Sequence, residues 1–324
     1  MFRIGLLLGD PSGIGPEIAA RLLNSPETLS LADILVLGDQ RLLPIATAPV
    51  NGTARKSAAP TGVISIFDWR LSRPSKYPLG IANAASGTYV LGTLRLAAQV
   101  IQRKEIDALV YAPLNKAAMK MAGMHEEDEM HFLANQLGYS GYMSEINECD
   151  GLCTTRVTSH VPLHAVAGLI TQERVLDATR LIHRTLVANG NPAPRIAVAA
   201  LNPHAGEGGQ MGTEEITTIG PAIRQARSEG ILADGPFPAD TVFLAARNGR
   251  FDAVVTMYHD QGQIATKLLG FERGVTIHGG LPLPITTPAH GTAFDIAGKG
   301  IASVSAIRAA FAVAVRSLNS NQSR

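Results

Sequence analysis

Short β-branched or leucine-rich runs alternate along this chain with longer segments of helical period, a pattern that constrains it to parallel strands joined by helices. The strand candidates are Phe2–Leu8, Ile34–Leu37, Gly62–Phe67, Ala108–Tyr111, Ile196–Ala200 and Ala253–Met257. The helix candidates are Pro16–Leu23, Tyr89–Arg103, Glu173–Val187, Glu214–Ser228 and Ser303–Leu318. Several strands end in polar clusters: Leu8 leads to Gly9-Asp10-Pro11, Ala200 to Asn202-Pro203-His204, and Met257 to Tyr258-His259-Asp260. Open α/β sheets bind ligands beyond the carboxyl ends of their strands, so the pattern predicts an α/β fold and marks where its site lies.

Composition narrows the function. With 324 residues, 46% hydrophobic and 17% charged, the chain can bury two cores and is too apolar for disorder or a fibrous role. Lys and Arg total 28 against 27 Asp and Glu, leaving no basic surplus for a nucleic-acid backbone, so small molecules are the expected partners. The single cysteine pair, Cys149 and Cys153, supports neither a disulfide framework nor a zinc ribbon and suits a reducing cytoplasm. The apolar start, Met1 to Leu8, is too short for a signal-peptide core or a membrane span and reads as a buried first strand. No repeat is visible, and loops such as Pro49–Pro60 are too short to link domains. The expected division is therefore compact: residues 1–125 plus 280–324 as a first lobe, and 126–279 as a second.

Four groups of residues can carry chemistry. Gly9-Asp10-Pro11-Ser12-Gly13-Ile14-Gly15-Pro16-Glu17 follows a strand and opens a helix, yet lacks the third glycine of a dinucleotide fingerprint because position 18 is Ile. His160, His204 and His259 each stand in a polar cluster, far apart in sequence, so only the fold can assemble them; three imidazoles with open positions suit a Lewis-acid metal. Taken singly, each histidine reads more readily as an ordinary hydrogen-bonded imidazole, and His125, His164 and His183 stay with that reading. Asp240, between a proline-rich loop and an apolar helix, reads as an N-cap or a site residue, Lys267 as a contact to an anion, and Lys116 as ligand-facing. The turn from His290 to Gly300 is rich in Gly and Ala, so its backbone can approach a ligand, with Asp295 as an acceptor.

Together these segments resemble the 4-hydroxythreonine-4-phosphate dehydrogenase family, relatives of the isocitrate and isopropylmalate dehydrogenases. The likeness runs from about Gly9 to Gly300 and rests on Gly-Asp-Pro-Ser-Gly-Ile-Gly-Pro-Glu at 9–17, Ala-Pro-Leu-Asn-Lys at 112–116, Asn-Pro-His-Ala-Gly-Glu at 202–207, Pro-Ala-Asp-Thr at 238–241, Tyr-His-Asp-Gln-Gly at 258–262 and His-Gly-Thr-Ala at 290–293. It implies a two-lobed α/β/α fold with the active site in the cleft between lobes. It implies a divalent metal (Zn, Mn, Co or Mg) on His160, His204 and His259, the last reaching in from the partner of a homodimer. It also implies NAD, or NADP in its place, bound by His290, Gly291, Thr292, Ala293, Asp295 and Ile296 within a 290–298 loop. The implied reaction oxidises a 3-hydroxy acid by hydride transfer, after which the β-keto acid loses CO₂; Asp240, Asp260 and Lys267 are the candidates for positioning ligands or moving protons.

The pattern departs from the family at the substrate. The family's Gly-His-Thr-Glu segment is here Asp128-Glu129-Met130-His131, so Glu129 and Met130 stand where His and Thr contact substrate; the family's Asn and Arg correspond to Thr276 and Ile285. A carboxylate about 4 Å from a phosphate charge costs roughly 4 kcal/mol at an effective dielectric of about 20. Either His131 and another cation restore the phosphate contacts, or the substrate is a different hydroxy acid: a four-carbon acid-sugar phosphate, an unphosphorylated acid or a carboxylated cyclohexadiene diol. Readings from other classes are a metal-assisted hydrolase without NAD and a non-catalytic metabolite-binding homologue.

Overall fold

The computed structural model describes residues 1–43, 64–68, 77–270 and 273–322; the Pro49–Pro60 loop lies outside them. The chain divides into two compact units, Met1–Ser140 with Leu281–Leu318, and Gly141–Gly280 with the residues from Asn319 onward. Where the sequence reading places 126–140 in the second lobe, the structure groups this stretch with the first, because Phe132 and Leu133 are buried and the Arg95 guanidinium lies over the Phe132 ring.

The first unit opens with β1 (Arg3–Leu7), α1 (Gly15–Leu23), α2 (Pro26–Leu31), β2 (Asp33–Gly38) and β3 (Ile64–Asp68). It continues with α3 (Ala84–Gln102), β4 (Ala108–Tyr111), α4 (Lys116–Met121) and α5 (Glu129–Leu137). The second unit contributes β5 (Ser144–Cys149), β6 (Leu152–Arg156), α6 (Leu163–Leu169), α7 (Gln172–Ala188), β7 (Ile196–Ala199), α8 (Gly220–Ser228), β8 (Ala233–Phe237), α9 (Ala239–Arg247), β9 (Ala253–Thr256), α10 (His259–Gly270) and β10 (Val275–Gly279). The chain then returns to the first unit with β11 (Ile285–Pro288) and α11 (Ser305–Gln322).

In the first unit the strand order is β3-β2-β1-β4-β11, all parallel. Ile4, Leu6, Leu7, Val110 and Ile285 are fully buried, as a parallel sheet requires. Helix starts are written into the sequence: Asn83, Asn115 and Asp128 accept from the backbone N–H groups of Ser86, Ala118 and His131, capping α3, α4 and α5. In the second unit the order is β10-β5-β6-β9-β7-β8; β5 runs antiparallel to both neighbours, and β6, β9, β7 and β8 are parallel. Among the described residues no helix is long and apolar enough to cross a membrane.

Candidate active site

Because β6, β9 and β7 are adjacent and parallel, their carboxyl ends share one edge of the second unit, and each leads to one of the three histidines. His160 follows β6, His259 opens α10 behind β9, and His204 follows β7. Side chains stitch these ends together. Thr158 donates through its backbone N–H and its hydroxyl to the carbonyl of Met257, at 3.1 and 2.8 Å. The Gln261 amide accepts from Met257 N at 2.7 Å and donates to Ala200 O at 2.9 Å, tying the His259 segment to the end of β7. Within one chain the His160 and His259 rings lie 5.4 Å apart, so this pair meets without a second subunit. The Nδ1 atom of His259 is 2.6 Å from Asp260 Oδ1, the arrangement that fixes a ring and leaves Nε2 for a metal. The structure brings exposed His160 and half-buried His259 together, while His204 stands exposed on the loop after β7, and the ligand atoms of the three do not all lie within 4.8 Å of one another. Three imidazoles are by their chemistry suited to a divalent ion of the zinc or manganese kind.

The segment bearing His204 is contorted. His204, Ala205, Gly206, Glu207 and Gly208 all have φ between 43° and 79°. Left-handed backbone costs an L-residue about 1–2 kcal/mol, and three of these five carry a Cβ. Such strain concentrates at functional sites.

Asp240 is not the N-cap that its sequence setting allows. Pro238 holds that position, part of the proline-rich segment pairs as β8, and Asp240 is an exposed residue in the first turn of α9. Lys267 is exposed on α10. Thr276 is buried on β10 directly opposite Asn147 of β5, whose Nδ2 donates to the Thr276 hydroxyl at 3.1 Å. Asn147 Oδ1 in turn accepts from Gln263 Nε2 at 2.7 Å and from Arg156 Nη1 at 3.1 Å. Arg156 pairs with Glu145 and donates through Nε to Ser159 Oγ, next to His160, at 3.0 Å. Sequence reasoning missed this network. Its signal is a pair of strands, Ser-Glu-Ile-Asn-Glu-Cys and Leu-Cys-Thr-Thr-Arg, too polar for an ordinary core. Cys149 and Cys153 are both buried there; Cys149 Sγ donates to Gly270 O, and burial pushes its thiol pKa up.

In the first unit the carboxyl ends of adjacent β1, β4 and β11 lead to the Gly9–Glu17 turn, to Lys116, exposed at the start of α4, and to the loop beginning at His290. Turn and loop are joined: Ile14 N donates to Thr292 O at 3.0 Å, and a Cβ at Gly13 would stand 2.8 Å from Thr292. Glu17, in the first turn of α1, accepts from Ala302 N at 3.1 Å, while Arg21 donates to Ala302 O at 2.7 Å. In the loop, Thr292 is buried, Gly291 and Asp295 are exposed, and His290 and Ile296 are half-buried. Ala293 is left-handed at φ 43°, and the space where Gly291 would carry a Cβ is open, so a ligand can approach this backbone. Asp10, fully buried, accepts from Ser12 N at 2.8 Å; burial raises its pKa above the ordinary Asp value against the lowering by Ser12 and Ser86.

Of the remaining candidates, Glu129 is half-buried and accepts from the Tyr111 hydroxyl at 3.3 Å. His131 Nδ1 lies 2.7 Å from Asp128 Oδ1; burial pushes Asp128 up, but the His131 amide and ring and Lys116 together hold it below its ordinary pKa. Met130 and Ile285 are buried apolar side chains and offer a substrate no polar atom.

A family model described as pyridoxal phosphate biosynthetic protein PdxA matches residues 27–314. The chain belongs to the PdxA family. A relative named putative 4-hydroxythreonine-4-phosphate dehydrogenase 2, from Pseudomonas aeruginosa, is 48% identical over 97% of this chain and 96% of its own length. A putative D-threonate 4-phosphate dehydrogenase from Symbiobacterium thermophilum is 37% identical over 97% of this chain and 96% of its own. A solved putative 4-hydroxythreonine-4-phosphate dehydrogenase from Salmonella typhimurium superposes with a TM-score of 0.85 at 34% identity, covering 98% of this chain and 99% of that one. Isocitrate dehydrogenase from Methylococcus capsulatus, 16% identical with a TM-score of 0.55 over 99% of this chain and 87% of its own, shares the fold, so PdxA proteins and isocitrate dehydrogenases are built alike here.

Proposed function

We propose that this PdxA-family chain is an NAD-dependent, divalent-metal-dependent dehydrogenase that oxidises the carbinol of a 3-hydroxy acid, with loss of CO₂ from the product. The observation that carries the reading is the alignment of His160, His259 and His204 at the ends of three adjacent parallel strands, two of their rings 5.4 Å apart. When bound, the metal supplies Lewis acidity at the substrate hydroxyl and carboxylate, and the nicotinamide accepts the hydride. The three imidazoles hold the ion, Asp260 fixes the His259 ring, and Lys267 faces the anionic substrate. Asp240 and Asp260 are the groups for moving the hydroxyl proton. His290, Gly291, Thr292, Ala293, Asp295 and Ile296 form the cofactor loop, braced by the Gly9–Glu17 turn.

The enzyme acts as a homodimer in the cytoplasm; against the expectation that His259 completes the partner's site stands the 5.4 Å pair that it forms with His160 of its own chain. Its substrate is a hydroxy acid other than 4-phosphohydroxythreonine. Glu129 already accepts from Tyr111, Met130 and Ile285 are apolar and buried, and Thr276 is engaged by Asn147. Relatives named for two different phosphorylated substrates make the four-carbon acid phosphates the leading alternative.

The test is a panel of hydroxy acids, each with and without phosphate and including D-threonate 4-phosphate, followed by NADH absorbance before and after chelation and metal restoration. NADH formation that persists through complete metal removal overturns the metal reading. Micromolar preference for a 4-phosphorylated acid over its free alcohol overturns an unphosphorylated substrate, and preference for 4-phosphohydroxythreonine over every other acid in the panel overturns the divergent-substrate reading.

A further inference from the structure

The left-handed segment at His204–Gly208 needs an anchor, and one buried carboxylate provides it. Glu215, 4% exposed, opens a single π-helical turn, Glu215–Ile219, just before α8. Its Oε1 accepts from the backbone N–H groups of Leu201 at 2.9 Å and Asn202 at 2.8 Å. Its Oε2 accepts from Asn202 Nδ2 at 3.0 Å. The far side of the arch closes on the same group: a Cβ at Gly206 would stand 2.7 Å from Glu215 Oε2. The two residues before Pro203-His204 and the residue at the crest of the arch are thus all referred to one side chain. All three hydrogen-bonding partners are donors, so the group at their centre must be an acceptor on both of its oxygens, which a carboxylate is and a carboxamide is not.

We propose that Glu215 is a positioning residue for His204, acting through the backbone of residues 201–206 to hold that imidazole where the metal requires it. The inference rests on the reading of His204 as a ligand. Second-layer groups of this kind alter metal affinity when replaced, typically by about 10–100-fold. The carboxamide of Glu215→Gln matches the native group in size but turns an NH₂ toward at least one donor. Glu215→Asp keeps the acceptor-only head one methylene short.

The experiment uses the metal-free full-length chain titrated with Co(II), read by affinity and by the visible ligand-field spectrum, for the native protein, Glu215→Gln, Glu215→Asp and His204→Ala. The expected result is a Co(II) affinity about 10–100-fold weaker in Glu215→Gln with an altered spectrum, and partial recovery of both in Glu215→Asp. Native affinity and spectrum in Glu215→Gln, alongside a weakened His204→Ala, overturn the positioning role and leave the metal site standing. Native affinity in His204→Ala overturns the ligand assignment itself. Should Glu215→Gln fail to fold, Asn202→Ala removes one of the three donors, and an unchanged spectrum there counts against the proposal in the same way.

Discussion

The His259 imidazole and the Asp260 carboxylate, neighbours in sequence, face each other at 2.6 Å between Nδ1 and Oδ1. The helix that begins with them turns both side chains out at the strand edge, and the Asp260 side chain is 72% exposed. Asp260→Ala therefore leaves the fold intact by circular dichroism while weakening Co(II) binding by about 10–100-fold. An unchanged affinity would mean that the carboxylate does not orient the ring.

His259→Ala and His160→Ala each lose metal and activity. If His259 serves the partner subunit, co-expressing the two variants rebuilds one native site in every mixed dimer, about a quarter of all sites for random pairing. If the 5.4 Å pair within one chain is itself the working pair, mixing restores nothing. Activity of the co-purified mixture, set against each variant alone, separates the two assemblies.

Arg156 and Glu145 form an ion pair whose side chains are 4% and 15% exposed. Deleting one partner strands the other charge, so Arg156→Ala is expected to lower unfolding stability by about 3–5 kcal/mol in urea titrations. Replacing both with leucine recovers much of that loss. A single variant as stable as the native chain would show that the pair contributes nothing to the fold.

Asp10 gives a pH signature of the opposite sign to an ordinary acid-sensitive carboxylate. Its folded pKa is raised above 3.8, chiefly by burial, so the folded state holds the proton longer than the unfolded chain does. The stability this contributes is complete below the unfolded pKa and is lost as pH rises through the folded one. Asp10→Asn mimics the neutral form and keeps the acceptor for Ser12 N. Thermal melts are expected to place it above the native chain at pH 7 and level with it near pH 3; a deficit of equal size at both values would refute the argument.

The strands legible in the sequence were those with uniform apolar runs, such as Ile196–Ala199 and Ala253–Thr256. Strands β5, β6 and β10 escaped notice because Asn147, Arg156 and Thr276 point buried polar groups at one another, a pattern that periodicity reads as loop. The histidines could be picked out because each follows a strand end. Their placement at the ends of adjacent strands could not, since strand order in the sheet departs from order in the chain. Gln261 and Glu215 were hidden for another reason: most of their partners are backbone atoms, which leave no mark on residue type.

Strand β9 lies between β6 and β7 although it is made after both. Until residues 253–256 are synthesised and slotted into that gap, the loops of His160 and His204 have no common support. The carboxyl ends of β6 and β7 therefore become next-but-one neighbours only through a strand made after both, so the arrangement of the second unit's edge is a late product of the sheet and not of either stretch of chain alone.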